Sequence, residues 1–171
     1  QASRLQARLD DEGNIILLKH QNRGKWYKPL MEKGFEYLEL ATEVFQPSSY
    51  HLEAAIASLH ASARSFEQTD WKSIYHLYEI LYQLQPVPIV ALNKAIASAY
   101  AIGREKALEQ LLQIKGLENY YLYHTSLGEI YYELHDKDKA KMFYENALRL
   151  TASRQQQQLL ISKINNCDTV Q

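Results

Sequence analysis

TDWKSIYHLYEILYQLQPVPIVALNKAIA, residues 69–97, reads as one complete helix, a rigid Pro-x-Pro turn and the opening turns of a second helix. Trp71, Ile74, Tyr75, Tyr78, Leu81 and Tyr82 recur at three and four residues and share one broad face of a helix. Thr69 or Asp70 supplies a side-chain acceptor for the first unpaired amides. The helix ends near Gln85, because Pro86 and Pro88 lack amide donors and restrict the residues before them. Pro88 suits the first turn of the next helix, where a missing donor costs little. Ile89, Leu92, Asn93, Ile96 and Tyr100 then continue a helical stripe.

The same grain extends through the chain of 171 residues. Hydrophobic residues make up 46%, enough for a packed core, while 6 Gly and 4 Pro are too few for a turn-rich all-β protein of this length. The 13 tyrosines offer apolar area with a polar tip. A net charge of −1 lacks the basic excess of a typical polyanion-binding domain, so direct DNA contact is not expected. The single Cys167 has no partner for an internal disulfide and lies so late that a core position is not expected. No run is long and apolar enough to span a membrane, and a cytoplasmic location is expected.

Upstream, residues 1–9 read as the stub of a helix, as if cut from something longer. Asp10, Asp11, Glu12, Gly13 and Asn14 signal a turn, and Ile15–Leu18 is either a short helix or an extended segment. A helix is expected from about Lys25 to Val44 or Phe45, with Pro29 in its first turn and Trp26, Leu30, Phe35, Leu38, Ala41 and Phe45 on its buried side. Gln46-Pro47-Ser48-Ser49 breaks it, and Ser49 is the expected cap of a helix from Tyr50 to about Glu67. Downstream, helices are expected to about Ala101, through Leu112 after an Ile102-Gly103 turn, from Tyr120 to Leu134, and from Asp138 (its cap) to Leu150. Ser153–Lys163 completes the set as an end cap.

These helix pairs match the degenerate tetratricopeptide pattern, whose period is about 34 residues. The last pair fits best: Leu127, Gly128 and Tyr131 on one helix, then Ala140, Tyr144 and Ala147 on the next. Small Gly128 and Ala140 allow close crossing, with Tyr131 and Tyr144 filling the space where the helices diverge. Ala152 stands where proline is common. Ala61-Ser62, Tyr78, Leu81 and Pro86 fit in outline, and Ala107 and Leu111 fit after a one-residue adjustment. The expected fold is all-α, with antiparallel helical hairpins stacked as a tetratricopeptide-like right-handed α-solenoid. Residues 1–49 form an N-terminal helical cap or link, 50–164 the repeats, and 165–171 a disordered tail.

No catalytic signature emerges, and neither an enzyme, a cofactor nor a metal site is expected. The six histidines lack the spacing of a zinc helix, and one cysteine cannot build a thiolate site. His60 and His76 are the one pair with a chance of facing each other. Gln21-Asn22-Arg23-Gly24-Lys25-Trp26 gathers polar and basic groups before an indole. Arg23 either binds a carboxylate of another domain or caps a helix beside a buried Trp26. Arg23, Lys25, Asn93, Lys94, Tyr75 and Tyr100 are the candidate protein-interaction residues, and Tyr78, Tyr82, Tyr120, Tyr121 and Tyr123 are further candidates for a groove wall.

An ordered set of segments is more specific than any of these features. It comprises Ala7-Arg8 with Asp11-Glu12-Gly13, LLKHQNRGKW (17–26), YHLEAAIASLH (50–60) and Thr69-Asp70-Trp71 with Ile74 and Leu77-Tyr78. PVPIVALNKAIA (86–97) and the closing YLYHTSLGEIYYELHDKDKAKMFYENALRL (121–150) complete it. This set resembles the C-terminal tetratricopeptide-like extension of a group of bacterial extracytoplasmic-function-type RNA polymerase sigma factors. The chain departs from that family at His20 and Asn22, where acidic residues are usual.

The resemblance implies an accessory domain that follows promoter-reading and polymerase-binding regions absent from this sequence. Its implied partners are those N-terminal sigma regions, RNA polymerase or a regulatory protein, with no DNA or membrane contact of its own. The expected function is non-catalytic regulation of transcription initiation. A free-standing scaffold that binds a peptide, and a small-ligand sensor or cryptic hydrolase, are the competing readings.

Overall fold

A computed structural model of the protein describes residues 2–41 and 48–168. Among them every extended regular element is helical, apart from an isolated antiparallel bridge between Leu9 and Ile15. No helix of the described residues is long and apolar enough to cross a membrane. The chain divides into two compact units, Gln1–Gln85 and Pro86–Gln171. The division falls at the start of the Pro-x-Pro turn, whereas the boundary expected at residues 49–50 lies within the first unit.

The first unit opens with short 3-10 turns at Ala2–Ala7, Leu18–His20 and Arg23–Lys25. Between the first two, Asp10 closes the expected turn. Its carboxylate accepts from the backbone of Asn14 (2.8 Å) and Glu12 (3.0 Å), while Gly13 takes φ of 83°, which favours glycine. Ile15 is therefore extended, bridged to Leu9, and of the two readings of the 15–18 run the extended one holds at its start.

α1 spans Lys28–Ala41, with Pro29 tolerated in its first turn. Its expected buried stripe is shallower than the spacing suggests: Leu30 is exposed, Phe35 and Leu38 are half-buried, and Trp26 is buried before the helix begins. The expected end at Val44 or Phe45 and the break at Gln46-Pro47 lie outside the described residues.

α2, Ser49–Ser62, is capped at Ser48 rather than Ser49, with the Ser48 amide donating to His51 Nδ1 at 3.1 Å. It stops five residues short of the expected Glu67. α3, Trp71–Leu84, begins with Asp70 accepting from the Ser73 amide at 3.0 Å and ends at Gln85, as its sequence requires. Ile74 and Leu81 are its fully buried positions.

The second unit starts at α4, Pro88–Ala101, with its proline in the first turn. Its buried face is built from small residues. Val90, Leu92, Ala95, Ala97, Ser98 and Ala99 are buried, whereas Ile89 and Tyr100 of the expected stripe remain exposed. α5, Arg104–Leu112, α6, Tyr121–Glu133, and α7, Lys137–Leu150, follow, and α4, α5 and α6 share a core of Leu92, Ala95, Ala99, Ala107, Leu111, Tyr123, Leu127 and Ile130.

α8, Arg154–Asp168, lays Leu160 and Cys167 against Ala140, Tyr144 and Ala147 of α7. Cys167 is thus a core residue, and residues 165–168 are helical rather than tail. The burial of Cys167 reverses the expectation drawn from its lateness, because the end helix continues one turn further than its polar composition suggests.

Two backbone features fix the α6–α7 hairpin. A β-carbon on Gly128 would lie 2.6 Å from two ring carbons of Tyr144, a side chain only 1% exposed. The tyrosine thus packs directly on the glycine, at the close crossing itself rather than where the helices diverge. The turn is a two-residue reversal in which His135 adopts φ of 64°. The His135 amide donates to the Tyr132 carbonyl (3.1 Å) and the Asp136 amide to that of Tyr131 (2.9 Å), the paired bonds of a Schellman motif. Asp136, not Asp138, then caps α7 by accepting from the Lys139 amide at 3.1 Å.

Opposite effects are expected from two substitutions here. His135→Gly relieves the left-handed backbone and should stabilise the unit by about 1 kcal/mol. Gly128→Ala would gain helix propensity on an open surface, but against the Tyr144 ring it should cost about 1–3 kcal/mol. Denaturant unfolding measures both; in a Tyr144→Leu background the Gly128→Ala penalty should shrink or vanish, and additive penalties would refute the contact.

Candidate functional site

Each unit carries a polar assembly, and the two are built differently. In the first, the loop at residues 21–26 folds back on the C-terminal end of α2. Asn22 accepts from the Gly24 amide at 2.8 Å and shapes a tight turn that presents Arg23. The Arg23 guanidinium donates to the backbone carbonyls of His60 (2.5 Å) and Ala63 (2.8 Å) and to Thr69 Oγ1 (3.3 Å). These acceptors include carbonyls freed where the helix stops, so a cation from far upstream caps α2. Of the two roles open to Arg23, the geometry shows the capping one, with its charge turned into the fold.

Around it, Arg23 and Arg4 lie over the Trp26 indole at 4.7 and 5.6 Å. His60 meets Trp71 edge-on at 5.2 Å, and the Trp71 indole N–H donates to the Phe66 carbonyl at 3.3 Å. Burial, with the charges of Arg4 and Arg23 nearby, holds the His60 imidazole down to about 4. Among the described residues, Gln21 Oε1, Trp26 Nε1 and His60 Nδ1 are buried without a protein hydrogen-bond partner. His76, by contrast, is exposed and pairs with Glu79 at 3.6 Å, so His60 and His76 form no joint site.

In the second unit, Glu129 and Glu133 stand one turn apart on α6. Arg104, at the start of α5, pairs with Glu133, donates to the Ala99 carbonyl at the end of α4 and covers the Tyr100 ring at 4.5 Å. Burial and Glu133 push the Tyr100 phenol up, with Arg104 opposing. Glu129 accepts from the Tyr144 hydroxyl at 3.0 Å and pairs with Lys163 of α8. Gln156 of α8 donates to the Tyr121 hydroxyl at 2.6 Å. A partly buried polar ridge therefore links α4 through α8 in sequence order. Such pairs fix register more than they add net stability.

The candidate interaction residues divide between the units. Lys25 is exposed and Tyr75 half-buried in the first; Asn93 and Lys94 are half-buried and Tyr100 lies at the edge of the ridge in the second. Of the further tyrosines, Tyr123 belongs to the core, its hydroxyl donating to the Leu111 carbonyl at 3.2 Å, and Tyr120 packs against that core. Of the ridge residues, Glu129 and Glu133 read in the sequence as carboxylates of a solvated helix face, and Arg104 and Lys163 give no signal of their own. Their charges look like an ordinary solvated helix face until the neighbouring helices are placed.

A family of unknown function (DUF6596) matches residues 1–42, a span that holds Arg4, Arg23 and Trp26. An uncharacterized protein of Rhizobium meliloti (strain 1021) is 36% identical over 154 residues. The alignment takes in 90% of this chain and 36% of that protein, so the chain spans about a third of the length of its relative.

The His60 environment makes the first unit acid-sensitive. The folded value of about 4 lies below the ordinary 6.5, so the unfolded chain binds more protons between them. The stabilisation is complete above about 6.5 and is lost as pH falls toward about 4. His60→Phe keeps an aromatic edge on Trp71 and should flatten this dependence. Tryptophan fluorescence follows it, since both tryptophans lie in this unit; an unchanged slope would contradict the assignment.

Proposed function

We propose that this chain is a non-catalytic protein-interaction and regulatory domain of an extracytoplasmic-function-type RNA polymerase sigma factor, modulating transcription initiation in the cytoplasm. One observation carries the reading: a segment matched at residues 1–42 by a family found in sigma-factor-like proteins precedes a hairpin closed by the packing of Gly128 on Tyr144. The ordered sequence segments shared with the sigma-factor extension support the same reading. In this proposal α4–α5, α6–α7 and the end helix α8 stack as a tetratricopeptide-like right-handed solenoid. Its partners are sigma regions preceding it in a longer polypeptide, RNA polymerase or a regulatory protein. The net charge of −1 favours protein partners over DNA.

A second reading, a free-standing scaffold that binds a peptide, draws on the partly buried ridge around Tyr100, Glu129 and Glu133, where aromatic and charged groups lie together. Deletion of this region from the full-length gene product separates the two. Under the regulatory reading, promoter-specific transcription or association with core polymerase changes. Unaltered transcription and association would remove the regulatory reading and leave the scaffold.

A further inference from the structure

The cluster around Trp26 gathers positive charge and leaves donors unpaired. Arg23 is satisfied by carbonyls and Thr69. Arg4 is not: among the described residues its guanidinium has neither an ion pair nor a hydrogen bond, only the indole face. It is nevertheless half-buried, and burial first, then the like charges of Arg8 and Arg23, push its proton affinity down. Trp26 is 4% exposed, and its indole N–H, which can only donate, has no protein acceptor. Nδ1 of His60, a neighbour of both Arg4 and Arg23, also lacks a partner and can donate in one tautomer. Glu67 is the acid whose charge reaches Arg23, and it is fully exposed. Crowded cations and unpaired donors are unfavourable together unless an anion joins them.

We propose that Arg4, the Trp26 indole N–H and His60 form a binding site for a single oxyanion, a carboxylate or a phosphate. Arg4 supplies the planar fork that matches either group in two parallel hydrogen bonds. Arg23 holds the site in shape without spending its own fork on the ligand. The site lies wholly within the first unit, and the proposal stands whether or not the chain belongs to a sigma factor.

The test is a proton–nitrogen correlation spectrum of the intact chain, which contains two indole signals. Inorganic phosphate and a glutamate-rich peptide are titrated separately, with sodium chloride at matched ionic strength as reference. The Trp26 signal should move downfield and saturate, while that of Trp71, already donating to Phe66 and edge-on to His60, moves less and reports an intact fold. Saturation at lower peptide concentration assigns the oxyanion to protein carboxylates; saturation at lower phosphate concentration assigns it to a small phosphate. Arg4→Gln should abolish the response, and Arg4→Lys, which keeps charge but loses the fork, should weaken it about tenfold. A Trp26 signal that follows chloride equally, does not saturate, or responds undiminished in Arg4→Gln overturns the proposal.

Discussion

The contact of Gly128 with the Tyr144 ring is the constraint on which the second unit depends. With no β-carbon on Gly128, α6 and α7 approach closely enough for a tyrosine to be almost wholly buried between them. That position sends the Tyr144 hydroxyl to Glu129 and burial pushes the phenol up, so the ring stays neutral and donates. Glu129 in turn fixes Lys163 of α8, and its neighbour one turn away, Glu133, meets Arg104. The arm of the ridge that runs from Tyr144 through Glu129 to Lys163 is thus a consequence of packing at one glycine. A larger residue there would displace the ring and, with it, the carboxylate that the end helix pairs with.

The first unit is held by a different means. There a single guanidinium does the organising. Arg23 ends α2, anchors Thr69 ahead of α3 and covers the Trp26 indole. The irregular segment at 63–70 exists because those carbonyls are satisfied by a side chain instead of by another helical turn. A cation capping from upstream makes the first 26 residues part of the unit, not an appendage to it.

How much of this is legible in sequence follows from the range of each interaction. The bounds of α3 and the start of α4 are local: Asp70 caps, Pro86 and Pro88 break, and both can be read within a few residues. The early end of α2 is not local, since its cause lies 37 residues upstream. The buried face of α4 was hidden because alanines carry little weight in a periodicity argument, yet Ala95 and Ala99 are what allow close packing. His135 gave no signal because left-handed C-terminal positions are read from glycine or asparagine. For the candidate site, Arg23 was identified with both its possible roles in view, whereas the ridge residues become distinctive only as pairs across helices.

The proposed regulatory role joins these two constructions to a longer polypeptide. In that proposal the N-terminal unit and the helices that carry the ridge of paired charges supply the docking surfaces. The most direct measurement is hydrogen exchange of this chain alone and within the full-length gene product bound to core RNA polymerase. The account predicts added protection in the complex, confined to one face of these helices. Identical exchange in both states would contradict it.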